Sequence, residues 1–70
     1  MITSLLHKNY CISVHTISDP FDETLFVSEV DIGSKDGKSI IKITANQSFA
    51  AESDAEVCGL EMGRNWIDKH

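Results

Sequence analysis

Ser53-Asp54-Ala55-Glu56-Val57-Cys58-Gly59-Leu60-Glu61-Met62-Gly63-Arg64-Asn65-Trp66-Ile67-Asp68-Lys69-His70 decides how this chain folds. Its first four residues form a capping-box pattern, with Ser53 placed to accept from the N3 backbone N–H and Glu56 to reach back to the cap. Ala55, Gly59, Met62, Gly63 and Trp66 then recur at helical spacing, which predicts a helix with one stripe lying against an apolar surface. Gly59 and Gly63 lie on that stripe. Each costs a helix roughly 1 kcal/mol relative to alanine, so their presence predicts a close approach between the helix and what it covers. Glu61 and Arg64 exclude the membrane reading of a Gly-x-x-x-Gly spacing.

Upstream of the helix, three runs read as strands. Tyr10 to Ile17 alternates, with Tyr10, Ile12, Val14 and Thr16 on one side and Cys11, Ser13, His15 and Ile17 on the other. Ser18-Asp19-Pro20-Phe21-Asp22 is turn chemistry. Thr24 to Ile32 follows, and Gly33-Ser34-Lys35-Asp36-Gly37 connects it through a Gly-bounded hairpin to Lys38 to Ala45. These runs predict an α+β domain spanning residues 1–70: a three-stranded antiparallel β-meander with one C-terminal α-helix packed on one face, β-β-β-α. The predicted core is Tyr10, Ile12, Val14, Phe26, Val30, Ile32, Ile41 and Ile43 beneath the helix stripe.

Composition narrows the function classes. The chain has 70 residues, 41% hydrophobic and 24% charged, with a net charge of −5, the profile of an ordinary globular domain rather than a disordered one. Its six basic residues are scattered among eleven acidic ones, which argues against nucleic acid and against anionic membrane surfaces as partners. Met1 to Leu6 lacks a basic n-region and a full apolar h-region, and no apolar run is long enough to span a bilayer, so a cytoplasmic protein is expected. Two cysteines, Cys11 and Cys58, do not make a disulfide framework and are expected to be reduced.

No catalytic, metal or phosphate motif stands out, so the expectation is a non-enzymatic protein without cofactor. Cys11 and His15 share a strand face, but Cys58 borders the helix's inward stripe, so the set does not converge as a zinc site requires. Asp19, Asp22 and Glu23 lack the ordered spacing of a calcium loop. Asp31 to Gly37 has glycines without a following helix, which makes a hairpin and not a phosphate loop.

The run from Thr44 through Phe49, Ser53-Asp54-Ala55-Glu56, Gly59-Leu60 and Gly63-Arg64-Asn65-Trp66-Ile67-Asp68, following Tyr10-Cys11-Ile12-Ser13-Val14, resembles small uncharacterised bacterial β-β-β-α domains. That resemblance implies a fold and no activity. The strand order also resembles a double-stranded-RNA-binding fold lacking its first helix. Where that family carries lysines to touch phosphate, this chain has Ser53, Asp54, Ala55 and Glu56, and two carboxylates at a helix N-terminus repel phosphate.

Two functional expectations remain. One is a protein-interaction module, a homodimer or an adaptor, working through the sheet face opposite the helix, with His15, Ile17, Leu25, Val27 and Ile40 as contacts. The other is a small-ligand binder with a pocket between sheet and helix near Tyr10, Phe49 and Trp66.

Overall fold

The structure is a computed structural model that describes residues 2–69, with Ile2 described by its backbone alone. His70, the last residue of the stretch quoted above, lies outside them. Four strands and one helix follow in order: β1 (Ile2–His7), β2 (Tyr10–Ser18), β3 (Phe26–Ser34), β4 (Ser39–Thr44) and α1 (Glu52–Lys69). The strands form one antiparallel sheet in the order β1-β2-β3-β4, with α1 packed on one face.

The sheet thus has four strands where the sequence predicts three. The additional strand, β1, pairs with β2 from Ile2↔His15 to His7↔Tyr10. It is closed by Lys8-Asn9, both at positive φ (49° and 71°), as a two-residue hairpin turn requires. The usual sequence signal for such a turn is Asn-Gly or Asp-Gly. Lys8 is a poor candidate for the left-handed region, which is why the hairpin is hidden in the sequence. The turn is held from outside: Lys8 Nζ lies 2.7 Å and His7 Nε2 lies 2.9 Å from Asp68 Oδ1 in the last turn of α1.

The other hairpins follow the predicted punctuation. In the β3–β4 loop, Gly37 supplies φ 94°, and Ser34 N–H donates to the Lys38 carbonyl at 2.7 Å. The β3–β4 register shifts between Ile32 and Gly33, so that Ile32 faces Ile41 while Gly33 faces Ser39. Ile40 is left over as a bulge residue, which removes it from the simple alternation the sequence suggests. Beyond β4, Phe49 rejoins the sheet through a two-bond bridge to Phe26, at 2.7 and 2.8 Å.

The core lies between α1 and the middle of β2 and β3. Ile12, Val14, Val30, Ile32 and Ile67 form the buried cluster, with Tyr10, Ile41, Ile43, Leu60, Met62 and Trp66 packed around it. Both helix glycines are where the spacing places them, and the reason is steric. A Cβ on Gly59 would stand 2.6 Å from Val14 Cγ1, and one on Gly63 would stand 2.7 Å from Ile12 Cγ2. The helix therefore rests directly on β2. Two polar bonds fix its position: Thr16 Oγ1 donates to Glu52 at 3.1 Å, and the buried Ser28 hydroxyl donates to the Ala55 carbonyl.

The helix start differs from the capping-box expectation. Helical structure begins at Glu52, and the Ala55 N–H bonds the Ala51 carbonyl at 3.3 Å, so Ala51 occupies the cap position and Ser53 is exposed within the first turn. The bond from Thr16 ties Glu52, the first helical residue, to β2. Ile67 is also buried, extending the stripe by one turn.

Candidate functional site

The helix is the single layer among the described residues, and it lies across β2 and β3 with one end reaching β1. The opposite face of the sheet is open. Cross-strand register brings together on that face Ser4 with Ser13, Leu6 with Cys11, Cys11 with Gly33, Ser13 with Asp31, His15 with Glu29, and Asp31 with Lys42.

Two adjoining depressions, of about 240 and 190 Å³, occupy the middle of this face. The first runs from Cys11 and Ser13 across Asp31 and Gly33 to Ser39. The second continues along Ser13, His15, Glu29, Asp31 and Lys42. Gly33 makes room for the first, and the site tolerates little else: a Cβ there would come within 3.0 Å of the Lys38 carbonyl oxygen. Asp31 Oδ1 accepts from Ser39 Oγ at 2.9 Å, and Ser4 and Ser13 hydroxyls lie 3.5 Å apart. This is a hydroxyl- and carboxylate-lined trough, open to water.

The residues singled out for interaction are spread around that trough. His15 is exposed, Ile17 and Leu25 are half-buried, and Ile40 is 47% exposed on its bulge. Val27 is only 8% exposed. It stands at the end of the sheet where both flanking loops are bonded to β3 or to each other, through the Phe26–Phe49 bridge, the Ala45 N–H to the Ser28 carbonyl at 2.9 Å, and the Ser48 hydroxyl to Asp19. Sequence alternation assigns Val27 a face but carries no information about where those loops are fastened. Leu6, on the strand that the sequence reading omits, is 70% exposed. Phe21, read as turn, is 97% exposed at the tip of the β2–β3 loop.

The residues of the proposed pocket do not gather. Tyr10 and Trp66 meet edge to face at 6.3 Å and 85°, an arrangement aromatic rings favour, near the Ser34 end of β3. Phe49 bridges Phe26 at the other end of that strand, roughly 26 Å away at about 3.3 Å per residue.

Chemistry-bearing groups are likewise dispersed. Cys11 and Cys58 are free thiols; Cys11 is on the open face, whereas Cys58 Sγ lies on the helix 3.9 Å from Met62 Sδ. Cys11 and His15 are four residues apart on one strand, roughly 13 Å by the same rise, beyond the hydrogen-bond reach a nucleophile and its base need. Among the described residues no three His, Cys, Asp or Glu side chains converge as a metal site requires, and no helix is long and apolar enough to cross a membrane.

Carboxylates with lowered pKa values all belong to turns and clasps. The Ser48 hydroxyl, followed by the Phe21 N–H, holds Asp19 below the usual value of 3.8. Thr24 does the same for Asp22 and Ser34 for Asp36. Lys8, and after it His7, lowers Asp68. These shifts mark loop fastenings, which perturb carboxylates as readily as active sites do. No protein-family model matches the chain, and neither a curated protein nor a solved structure matches it.

Proposed function

We propose that the chain is a small non-enzymatic interaction module that self-associates through the part of the sheet the helix leaves uncovered, the open face and the β1 edge that borders it. The observation that carries this reading is the one-sided cover: a four-stranded sheet with a single helix over its central strands, and Leu6 70% exposed at the uncovered margin. A chain of this size buries only about 60% of the surface its unfolded form exposes, and neither a disulfide nor a converged metal site supplements its core among the described residues. A second protomer would bury part of that uncovered margin and add to the core's area. The two free thiols, on different sides of the sheet, fit a reducing cytoplasm.

Light scattering across a dilution series tests the reading. A mass rising from 7.8 kDa toward twice that value with concentration is expected. A single-chain mass at every concentration would overturn self-association.

A further inference from the structure

The two edges of the sheet are built differently. β4 is blunted: it carries Lys42 in its middle and a bulge at Ile40, two devices that keep an edge strand from pairing with another chain. β1 has neither. Ile2-Thr3-Ser4-Leu5-Leu6-His7 contains no Lys, Arg, Asp, Glu, Pro or Gly, and it pairs with β2 in unbroken register. An uncharged, bulge-free strand on the edge of a sheet is a template for strand addition.

The register fixes which groups are on offer. His7 and Tyr10 close the two-residue hairpin and so exchange backbone bonds. Alternation along an antiparallel pair then directs the N–H and C=O of Leu5 and Thr3 toward β2, and those of Ile2, Ser4 and Leu6 outward.

We infer that β1 pairs antiparallel with β1 of a second copy, about a two-fold axis through Ser4, to make a continuous eight-stranded sheet. This deepens the self-association proposed above and rests on it. Opposed residues in an antiparallel pair point to the same face, so the axis must pass through a residue and not between two. Centring on Ser4 joins Ser4 to Ser4 and Ile2 to Leu6 in both directions, which engages every outward group of the strand. Centring on Leu5 would leave Ile2 opposite Lys8, whose positive φ of 49° ends the strand.

The occupant is a second copy because β1 is complementary to itself: two neutral strands bring no like charges together. The same join at β4 would bring Lys42 of both protomers to one place. Leu6, 70% exposed, would lie against the partner's backbone.

Ser4→Pro is the decisive variant. Its N–H points outward and not to β2, so proline, which edge strands accept at such positions, removes a backbone bond from the join and no backbone bond from the fold; the exposed hydroxyl contact with Ser13 at 3.5 Å is the one contact it gives up. Leu6→Lys, a charge on the same edge, is the second variant should proline disturb the strand. Ser13→Arg on the open face and Ile40→Lys on the β4 edge are controls. At a concentration where the wild type has twice the single-chain mass, Ser4→Pro and Leu6→Lys are expected to have the single-chain mass with unchanged circular dichroism, and both controls to remain dimeric. In the wild type, the amides of Ser4 and Leu6 should gain protection from hydrogen exchange as concentration rises. Dimers that survive both β1 variants, or that are lost to Ser13→Arg alone, would overturn the β1 join while leaving self-association standing. A wild type that is monomeric throughout would overturn both.

Discussion

Along the middle of β2 and β3, residues 11–16 and 28–32, the side chains that face the helix are Ile12, Val14, Thr16, Ser28, Val30 and Ile32, and every one is buried; those facing the other way, Cys11, Ser13, His15, Glu29 and Asp31, are half-buried or exposed. The strands are the same, so the difference is made by the layer above them. Under the helix, even hydroxyls are taken out of water, provided each finds a partner, as Thr16 does in Glu52 and Ser28 in the Ala55 carbonyl. On the open face, polar side chains stay hydrated, and stability should depend little on their identity.

The largest test of this contrast compares two leucine-sized side chains. Ile12→Ala empties a fully buried position in contact with the helix backbone at Gly63 and should cost about 2–5 kcal/mol. Leu6→Ala, on an exposed position, should cost under about 0.5 kcal/mol. Urea denaturation of both variants, at a concentration low enough to keep single chains, measures the difference. Similar losses would mean that the helix does not define the core.

Next in size is the steric fit of helix to strand. Gly59→Ala gains roughly 1 kcal/mol of helix propensity, but its methyl group would stand 2.6 Å from Val14 Cγ1. A β-branched side chain gives way poorly, and overpacking costs about 1–3 kcal/mol. A net loss of about 1–2 kcal/mol is expected. Val14→Ala made in the same chain should recover part of it, so the double variant loses less than the sum of the singles. Strict additivity in a denaturation cycle would show that Val14 is not what the methyl group meets.

Serine offers the same comparison with one atom at stake. Ser28→Ala removes a buried donor to the helix and should cost about 1 kcal/mol. Ser13→Ala, whose hydroxyl meets that of Ser4 across the open face, should change stability by less than about 0.5 kcal/mol. Thermal unfolding of the two variants would separate these values; equal melting temperatures would erase the distinction between the faces.

How much of this was legible in the sequence depends on the scale of the signal. The alternation of Tyr10 to Ile17 and the helical spacing of Ala55, Gly59 and Gly63 are local periodicities, and the structure realises them. The glycines were informative because their cost within a helix needs a reason, here Val14 and Ile12. β1 was missed because its turn, Lys8-Asn9, is stabilised by Asp68 from the far end of the chain and not by its own residues. The burial of Val27 was incompletely legible for a related reason: it stands where the loops at that end of the sheet are bonded to β3 or to each other, a placement that strand alternation does not display. The trough on the open face depends on β3–β4 register and on the space left by Gly33, properties of pairing that no single strand displays.

Asp68 is where that long-range dependence can be titrated. A carboxylate in the last turn of a helix is unfavourably placed relative to the helix dipole; Lys8 and then His7, in the clasp to the β1–β2 turn, hold its pKa below 3.8. The sign follows from the direction: the fold favours the ionised form, its contribution is present above the ordinary carboxylate value, and it is lost as pH falls through the lowered one. Asp68→Asn should therefore make the acid limb of the stability profile shallower. It should not flatten it, because Asp19, Asp22 and Asp36 are lowered as well. The effect is small, since the pair is exposed and screened by salt, and it should shrink further as ionic strength rises. Acid titrations of wild type and variant at low and high salt measure it. Superimposable curves at low salt would show that the turn stands without its clasp, and that Lys8 holds its left-handed backbone by the pairing of β1 with β2 alone.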